Sequence, residues 1–404
     1  MSEPQSIECP VRVGAGGRPE AAFIEEGPSI VSYRDADARI DGIVASLVNA
    51  GVRPGDRIAL YGAPSTACVL TLFALWRYGT VACPLHVRRT QSWLAEYVRM
   101  LGVRAVITND APPDFSVPVL SMDALPPGSA PGSSTPSGIE LDAPATIVVT
   151  SGSTGNPRAA ILTYGNQYFS ALGSNENIAL GPGDAWALEL PLYHVGGLGV
   201  LMRCAIAGAT IVLGAIDSDR GPGTTRITHR SLVPTQIYRL LREPVGRATL
   251  AQCQAVLLGG APAPDSLIDE AVAAGVPLFV SYGLTELASQ VTTTPPGSDA
   301  SVLRTSGRVL PYRELSVSES GEILVRGRTL FAGYVEGGGQ TLPLDAAGWF
   351  HTGDRGFLDD AGLLHVVGRI DNLFISGGEN VQPEEIERAL LGQPNVQEAI
   401  VVPV

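Results

Sequence analysis

Nine consecutive residues, Thr150-Ser151-Gly152-Ser153-Thr154-Gly155-Asn156-Pro157-Arg158, put four side-chain hydroxyls, two glycines and a guanidinium into one stretch behind the β-type run Thr146 to Val149. Hydroxyls and the backbone N–H groups that glycine leaves unshielded can surround phosphate oxygens, and the guanidinium offers them two parallel donors. This is the chemistry of a phosphate cradle. No G-x-x-x-x-G-K-[ST] pattern fits the stretch, so it is not a Walker loop. Taken alone, the same composition also suits a Ser/Gly-rich surface turn.

Four segments further along supply other parts of a nucleotide and acid site. Leu257-Leu258-Gly259-Gly260-Ala261-Pro262 closes an apolar run with glycines that let a flat base approach the backbone. Ser281-Tyr282-Gly283-Leu284-Thr285-Glu286 offers an aromatic face for a purine, a hydroxyl for phosphate, and a carboxylate for a metal ion that bridges phosphates. Gly348-Trp349-Phe350-His351-Thr352-Gly353-Asp354 ends in a carboxylate that could accept both hydroxyls of a ribose. Gly368-Arg369-Ile370-Asp371 adds a cation and a flexible corner. Each has a plain alternative: turn glycines, a core tyrosine, a solvated acid, a surface ion pair. The set, in this order, is what points to a single bound molecule.

The elements that must position these residues follow from patterning. A chain of 404 residues with 45% apolar content is long enough for two or three structural units, and its 47 glycines and 31 prolines suit many short connections. Apolar residues at helical spacing (Ile40, Ile43, Val44, Leu47, Val48) predict a helix over Tyr33 to Ala50, with Gly51 at its C-terminal end. A strand over 57–61, a helix over 65–78, a strand near Val81, a helix over 92–101 and a strand over 105–108 continue the alternation. Repeated β-α units of this kind build mostly parallel sheets covered by helices. Residues 111–144 include a run rich in Pro, Gly and Ser that reads as a linker. The pattern resumes with buried strands near 209–213, 255–258 and 277–280, then a hairpin over 314–318 and 322–326. Pro383 to Leu391 reads as a helix and Ala399 to Val402 as a strand.

Composition excludes several functions. The formal charge is −13, and all 27 basic residues are arginine, so no basic stripe exists for nucleic acid. Five scattered cysteines, Cys9, Cys68, Cys83, Cys204 and Cys253, show no metal-ligand spacing and read as reduced thiols of a cytoplasmic protein. The first 17 residues lack a signal-peptide core, and no apolar run reaches the 18 residues of a membrane span.

The five segments together resemble the adenylate-forming superfamily of acyl-CoA synthetases, peptide-synthetase adenylation domains and luciferases, over nearly the whole chain from about Tyr33 to Val404. The most similar group is the o-succinylbenzoate-CoA ligases of menaquinone biosynthesis. That similarity rests on Thr163-Tyr164-Gly165-Asn166, Leu190-Pro191-Leu192-Tyr193-His194-Val195 with Arg203, Ser281 through Gln290, and Ile375-Ser376-Gly377-Gly378-Glu379-Asn380. The resemblance implies an α/β fold. Residues 1–370 would form a large multi-subdomain region that binds ATP and the acid, with mostly parallel sheets and a small antiparallel part. Residues 371–404 would begin a small α+β lid.

The activity so implied is an ATP-dependent, AMP-forming ligation. A carboxylate attacks the α-phosphate, pyrophosphate leaves, and a thiol, that of coenzyme A or of a carrier protein, then displaces AMP. The implied roles place Thr150, Ser151, Gly152, Ser153, Thr154, Gly155 and Arg158 around the phosphates, and Gly259, Gly260, Ala261, Tyr282 and Gly283 around adenine. Thr285 would meet the α-phosphate, Glu286 Mg²⁺, Asp354 and Arg369 the ribose, and Asp371 would be the hinge. His194, read as ending a strand, would stand beside the substrate carboxylate or gate the thiol tunnel, and Ser289 would line the acid pocket. Arg203 sits on an otherwise apolar helical stretch, an unusual place for a charge. It is expected to pair with a second carboxylate of the substrate.

Two departures from the family pattern stand out. The phosphate loop, which ordinarily ends Lys-Gly, here ends Arg158-Ala159. The chain also has no lysine to match the one that family members aim at the reacting carboxylate, so truncation and slow adenylation are expected. An aryl- or acyl-acid ligase of specialised metabolism and a catalytically weak nucleotide-binding protein are the alternatives. The joint presence of Thr285, Glu286, Asp354 and Arg369 weighs against the second, because a scaffold has no chemical need for all four.

Overall fold

Cys68 through Tyr78 are all buried in the helix Thr66–Tyr78, as befits a helix that is apolar on every side. It packs against the strands Val81–Pro84 and Ala22–Glu26, which belong to different sheets, and so joins the two halves of the fold. Ser65 caps its N-terminus by accepting from Cys68 N–H, and Gly79 closes it in the left-handed conformation. Its one charge, Arg77, is held by Asp37 at 2.6 Å and Asp41 at 2.8 Å. The computed structural model describes residues 5–110, 114–123, 138–150, 158–214, 225–336, 339–372, 374–376, 379–381, 383–391, 393, 396 and 399–402.

The first sheet has eight strands among the described residues, in the order 339–341, 333–336, 158–163, 144–150, 81–84, 57–60, 105–108, 119–121. Its β-α part is parallel, while 144–150, 158–163, 333–336 and 339–341 run antiparallel to one another. Trp76 donates its indole N–H to Thr146 Oγ1 at 3.0 Å, tying the joining helix to this sheet. The second sheet has nine strands, in the order 308–309, 289–293, 278–284, 255–258, 229–232, 185–187, 210–213, 22–26, 29–32. A third, antiparallel sheet holds Arg313–Val317, Glu322–Gly327, Phe350–Leu358 and Leu364–Arg369. The mixed α/β class expected from the sequence is the one observed, and the 314–326 hairpin forms as read.

Two strands matter most for the site. Leu278–Leu284 pairs in parallel with Ala255–Leu258 through residues 278–280, then leaves that partner and pairs antiparallel with Ser289–Thr293. Gly283 sits at this crossing, where an added Cβ would lie 2.0 Å from Ser289 O. Glycine is therefore required there by the backbone itself. The second strand is Arg158–Thr163, whose end is fixed by a capping box: Thr163 Oγ1 accepts from Asn166 N–H, and Asn166 Oδ1 accepts from Thr163 N–H. Asn166 Nδ2 also donates to the carbonyls of Arg328 and Leu330, which brings the Gly333–Glu336 strand alongside.

One expected element differs. Residues 399–402 carry no strand pairing; Val401 N–H donates instead to Glu387 Oε1 of the helix Pro383–Leu391 at 2.9 Å. Much of the predicted linker, 111–113 and 124–137, lies outside the described residues. No helix among the described residues is long and apolar enough to cross a membrane.

Gly283→Ala is expected to push the 278–293 ribbon apart and lower stability by about 1–3 kcal/mol, the usual cost of overpacking. A lower urea midpoint with unchanged slope checks this.

Candidate active site

The ribbon Leu278–Leu284 and Ser289–Thr293, with the 3₁₀ turn Thr285–Leu287 at its tip, carries five of the residues singled out from the sequence. Tyr282 donates its hydroxyl to Asp354 Oδ2 at 2.6 Å. Asp354 in turn accepts from Arg369 Nη1 at 3.2 Å, its register partner across the third sheet. Arg369 also donates to Thr352 O and pairs with Asp371 at 3.1 Å. The expected aromatic, ribose and hinge residues are thus one connected line. Burial raises the Asp354 pKa above the usual carboxylate value, against the Tyr282 hydrogen bond and the Arg369 charge, which lower it.

Glu286 lies at the ribbon tip. Its Oε1 accepts from the Tyr334 hydroxyl at 2.6 Å, its backbone carbonyl accepts from Phe331 N–H, and no other described residue bonds the carboxylate. The Arg158 guanidinium lies over the Tyr334 ring, 4.4 Å from the centroid. Thr150 and Arg158 are register partners, so both belong to the strands that flank the predicted phosphate loop. Ser151, Gly152, Ser153, Thr154 and Gly155 lie outside the described residues. The remaining hard oxygen of Glu286 suits Mg²⁺, which is ordinarily bound by one or two carboxylates together with substrate phosphates.

The glycine corner comes beside the ribbon. Ser281 Oγ donates to Leu258 O at 3.2 Å, and a Cβ at position 259 would meet that hydroxyl at 2.7 Å. Gly260 has φ +84, and Gly260 and Ala261 are exposed.

A second cluster, formed by the residues expected on the acid side, gathers at Ser289 and Gln290. Arg203, 1% exposed, donates from Nη2 to Gln290 Oε1 at 2.7 Å and to Ser289 Oγ at 3.4 Å, and its guanidinium lies 5.3 Å from the Trp186 ring. Its Nε and Nη1 have no hydrogen-bond partner. No described carboxylate pairs with it. Arg313, also buried, donates once from each of its three guanidinium nitrogens, to the backbone carbonyls of Pro311, Gln290 and Ser170. Burial pulls Arg203 down to about 10; burial and the nearby Arg203 pull Arg313 down to about 9. Both guanidinia stay charged at neutral pH. Next to them Ala288 (φ +53) and Ser289 (φ +127) occupy backbone regions that ordinary residues avoid.

His194 is not part of this network. It is the N-terminal cap residue of the helix Val195–Ala207, not a strand end, because the tight turn after Leu190 interrupts extended pairing and its carbonyl accepts from Leu198 N–H. It is exposed, and its ring contacts are with Tyr193 (4.8 Å) and His86 (6.3 Å). Partial desolvation and His86 hold its pKa below the usual histidine value. Tyr193 borders a cavity of about 230 Å³, shared with Leu60, Pro64, Leu85, Arg88 and Leu188. Among the described residues no hydrogen bond links His194 to Arg203 or to the ribbon.

The sequence missed Tyr334, Gln290 and Arg313 as site residues. Gln290 lay inside a quoted motif, but Tyr334 carried no spacing signal, because its partners are 48 and 176 positions away.

Comparison with known proteins fits this geometry. Residues 11–335 match the model of the AMP-binding enzyme family. The chain belongs to that family. Two relatives are named 2-succinylbenzoate–CoA ligase: one from Geobacillus sp. (strain WCH70), 32% identical over 94% of this chain and 81% of that protein, and one from Bacillus cereus (strain ATCC 14579), 32% identical over 95% and 82%. Among solved AMP-binding enzymes, Bacillus subtilis o-succinylbenzoate CoA synthetase with its acyl-adenylate intermediate OSB-AMP superposes with TM-score 0.88 at 29% identity, covering 98% of this chain and 85% of that one. The same enzyme with ATP and magnesium gives 0.87 at 29%, covering 97% and 86%. Wild-type E. coli MenE with a bound phenylether-linked analogue of OSB-AMS gives 0.84 at 30%, covering 100% and 86%.

Because Asp354 has a raised pKa, it takes up a proton at a higher pH than a free aspartate, whose value is near 3.8. For folding, the stability it contributes is fully present at low pH and lost as pH rises through its folded value. For a ribose held by the carboxylate the direction is reversed: affinity for adenosine, which has no phosphate to titrate, is expected to fall as pH drops through the raised Asp354 value. Calorimetric titration of adenosine checks this, with Asp354→Asn expected to remove the pH dependence.

Proposed function

We propose that this chain is an AMP-forming carboxylic acid–CoA ligase whose acid is o-succinylbenzoate. The observation that carries the substrate reading is Arg203: a buried guanidinium with two unpartnered donors and no carboxylate of the described residues beside it. Leaving such a charge uncompensated costs several kcal/mol, which a substrate anion offsets. An acid with a second carboxylate supplies that anion while its first carboxylate reacts. The names of the relatives support the same substrate.

In this reading the first carboxylate oxygen attacks the α-phosphorus of ATP, the bond to the bridging oxygen breaks, and pyrophosphate leaves. Thr285 donates to the α-phosphate, and Arg158 with the hydroxyls of residues 150–155 holds the departing phosphates. Glu286, with the carboxylate oxygen that Tyr334 leaves open, would hold Mg²⁺, which would supply positive charge to the departing phosphates. Asp354, fixed by Tyr282 and Arg369, orients the ribose. The sulfur of coenzyme A then attacks the acyl carbon, the carbon–oxygen bond to AMP breaks, and the thiol proton is released to solvent. His194, apart from the Arg203 cluster and in ring contact with Tyr193, which borders the 230 Å³ cavity, acts on the thiol side. Its lowered pKa keeps it neutral there.

The lid begins after Ile370. Support comes from the 3₁₀ turn Ile370–Asn372 and from Glu384, which accepts from Arg369 N–H and from Asn372 Nδ2 at 2.6 Å. Pivoting at Asp371 would exchange these contacts and the Arg369–Asp371 pair for others.

The test is thioester formation from ATP, coenzyme A and either o-succinylbenzoate or benzoate, followed by mass spectrometry. o-Succinylbenzoate is expected to be the better substrate. Arg203→Leu is expected to raise its KM by about 30-fold or more, the scale for removing one member of a buried charge pair, with the KM for ATP unchanged. An unchanged KM for o-succinylbenzoate would sink the reading.

A further inference from the structure

Arg158 and Glu286 come from segments 128 positions apart, yet one side chain touches both. Tyr334 lies on the strand Gly333–Glu336, where it is the register partner of Ala160 on the neighbouring antiparallel strand. Position 158 is the diagonal neighbour on the same face of the sheet, within reach of a long side chain across an aromatic one. The ring thus lies under the guanidinium, and the hydroxyl at its far end bonds Glu286 Oε1. Tyr334 is itself held firmly: it is 7% exposed, packs edge-on against Phe331 at 4.7 Å, and follows Gly333, where a Cβ would come within 2.7 Å of Thr341 O. Phe331 N–H, bonded to Glu286 O, fixes the same contact from the backbone side.

We infer that Tyr334 is a positioning residue that makes Arg158 and Glu286 a single unit, aiming the guanidinium at the phosphates and turning the second carboxylate oxygen toward the metal. The inference rests on the proposed roles of those two residues and goes beyond them. It also gives a reason for the departure at the loop's end. A planar guanidinium can lie flat on a ring and keep its donors directed, whereas a lysine ammonium is a point charge on a flexible stem. With arginine at position 158, the Tyr334 ring supplies the orientation. Its hydroxyl occupies one oxygen of Glu286 and leaves the other as the hard ligand, so the carboxylate need not be reoriented when the metal and triphosphate arrive.

The coupling predicts a split that a purely structural tyrosine does not produce. ATP binding to the 404-residue chain is measured by calorimetry, once with excess Mg²⁺ and once with EDTA, for the parent, Tyr334→Phe, Tyr334→Leu, Arg158→Met and Glu286→Gln. Tyr334→Phe keeps the ring and removes the hydroxyl. It is expected to raise the Kd roughly tenfold with Mg²⁺, the scale for a lost hydrogen bond to a charged group, and to leave the EDTA value unchanged. Tyr334→Leu removes both and is expected to weaken binding in both media, and adding Arg158→Met to it should cost little more. Tyr334→Phe binding as the parent does, or weakened equally with and without Mg²⁺, overturns the inference while the roles of Arg158 and Glu286 stand. If Glu286→Gln leaves the Mg²⁺ dependence intact, or Arg158→Met leaves both Kd values intact, those underlying roles fail and the inference fails with them.

Discussion

The site depends on one backbone crossing. The strand Leu278–Leu284 begins inside a parallel sheet and finishes in an antiparallel ribbon, and the two arms of that ribbon approach so closely at Gly283 and Ser289 that no side chain fits between them. The ribbon carries Tyr282, Thr285, Glu286, Ser289 and Gln290 within nine residues of chain, with Tyr282 bonded to Asp354, Glu286 to Tyr334, and Ser289 and Gln290 to Arg203. Its tightness has a cost in local conformation, seen in the left-handed Ala288 and the Ser289 beside it. The surroundings fix that conformation: Ser170 donates to Ala288 O, and Arg313 to Gln290 O.

Electrostatics then divides the molecule. The chain carries a formal charge of −13, yet the acid-side cluster contains two buried guanidinia facing amides, hydroxyls and carbonyls. Burying a cation without a counter-ion is unfavourable, so a cluster of this kind costs stability unless something compensates it. Gln290 is the link between the two, accepting from Arg203 with its side chain and from Arg313 with its backbone. The other cluster uses the opposite arrangement, in which carboxylates are held by neutral or cationic donors: Asp354 by Tyr282 and Arg369, Glu286 by Tyr334. Under the proposed function, a negatively charged acid and a metal-bound phosphate would meet groups of complementary charge at the two clusters that one ribbon joins.

Much of this was legible from local pattern. The helices over 33–49, 66–78, 91–101 and 383–391 and the strands near 57, 81, 105, 210 and 255 follow from periodicity and capping residues, because those signals act within a few residues. The glycine corner at 259–260 and the Thr285-Glu286 pair were readable because their residue types suit little else in combination. His194 was misplaced on a strand, since the apolar run Leu188 to Leu192 looks extended but is a turn. The strand expected over 399–402 lacks a partner among the described residues, which no local propensity reveals.

The sequence by itself determined the segments that carry chemistry and the class of ligand they suit, because hydroxyls, carboxylates and guanidinia have the same chemistry wherever they sit. Only the tertiary structure decided which of them act together. Tyr334 reaches Arg158 and Glu286, and Gln290 joins Arg203 to Arg313, through strand register and ribbon geometry. Register depends on pairing between distant segments, and a one-residue slip would turn each of these side chains to the opposite face.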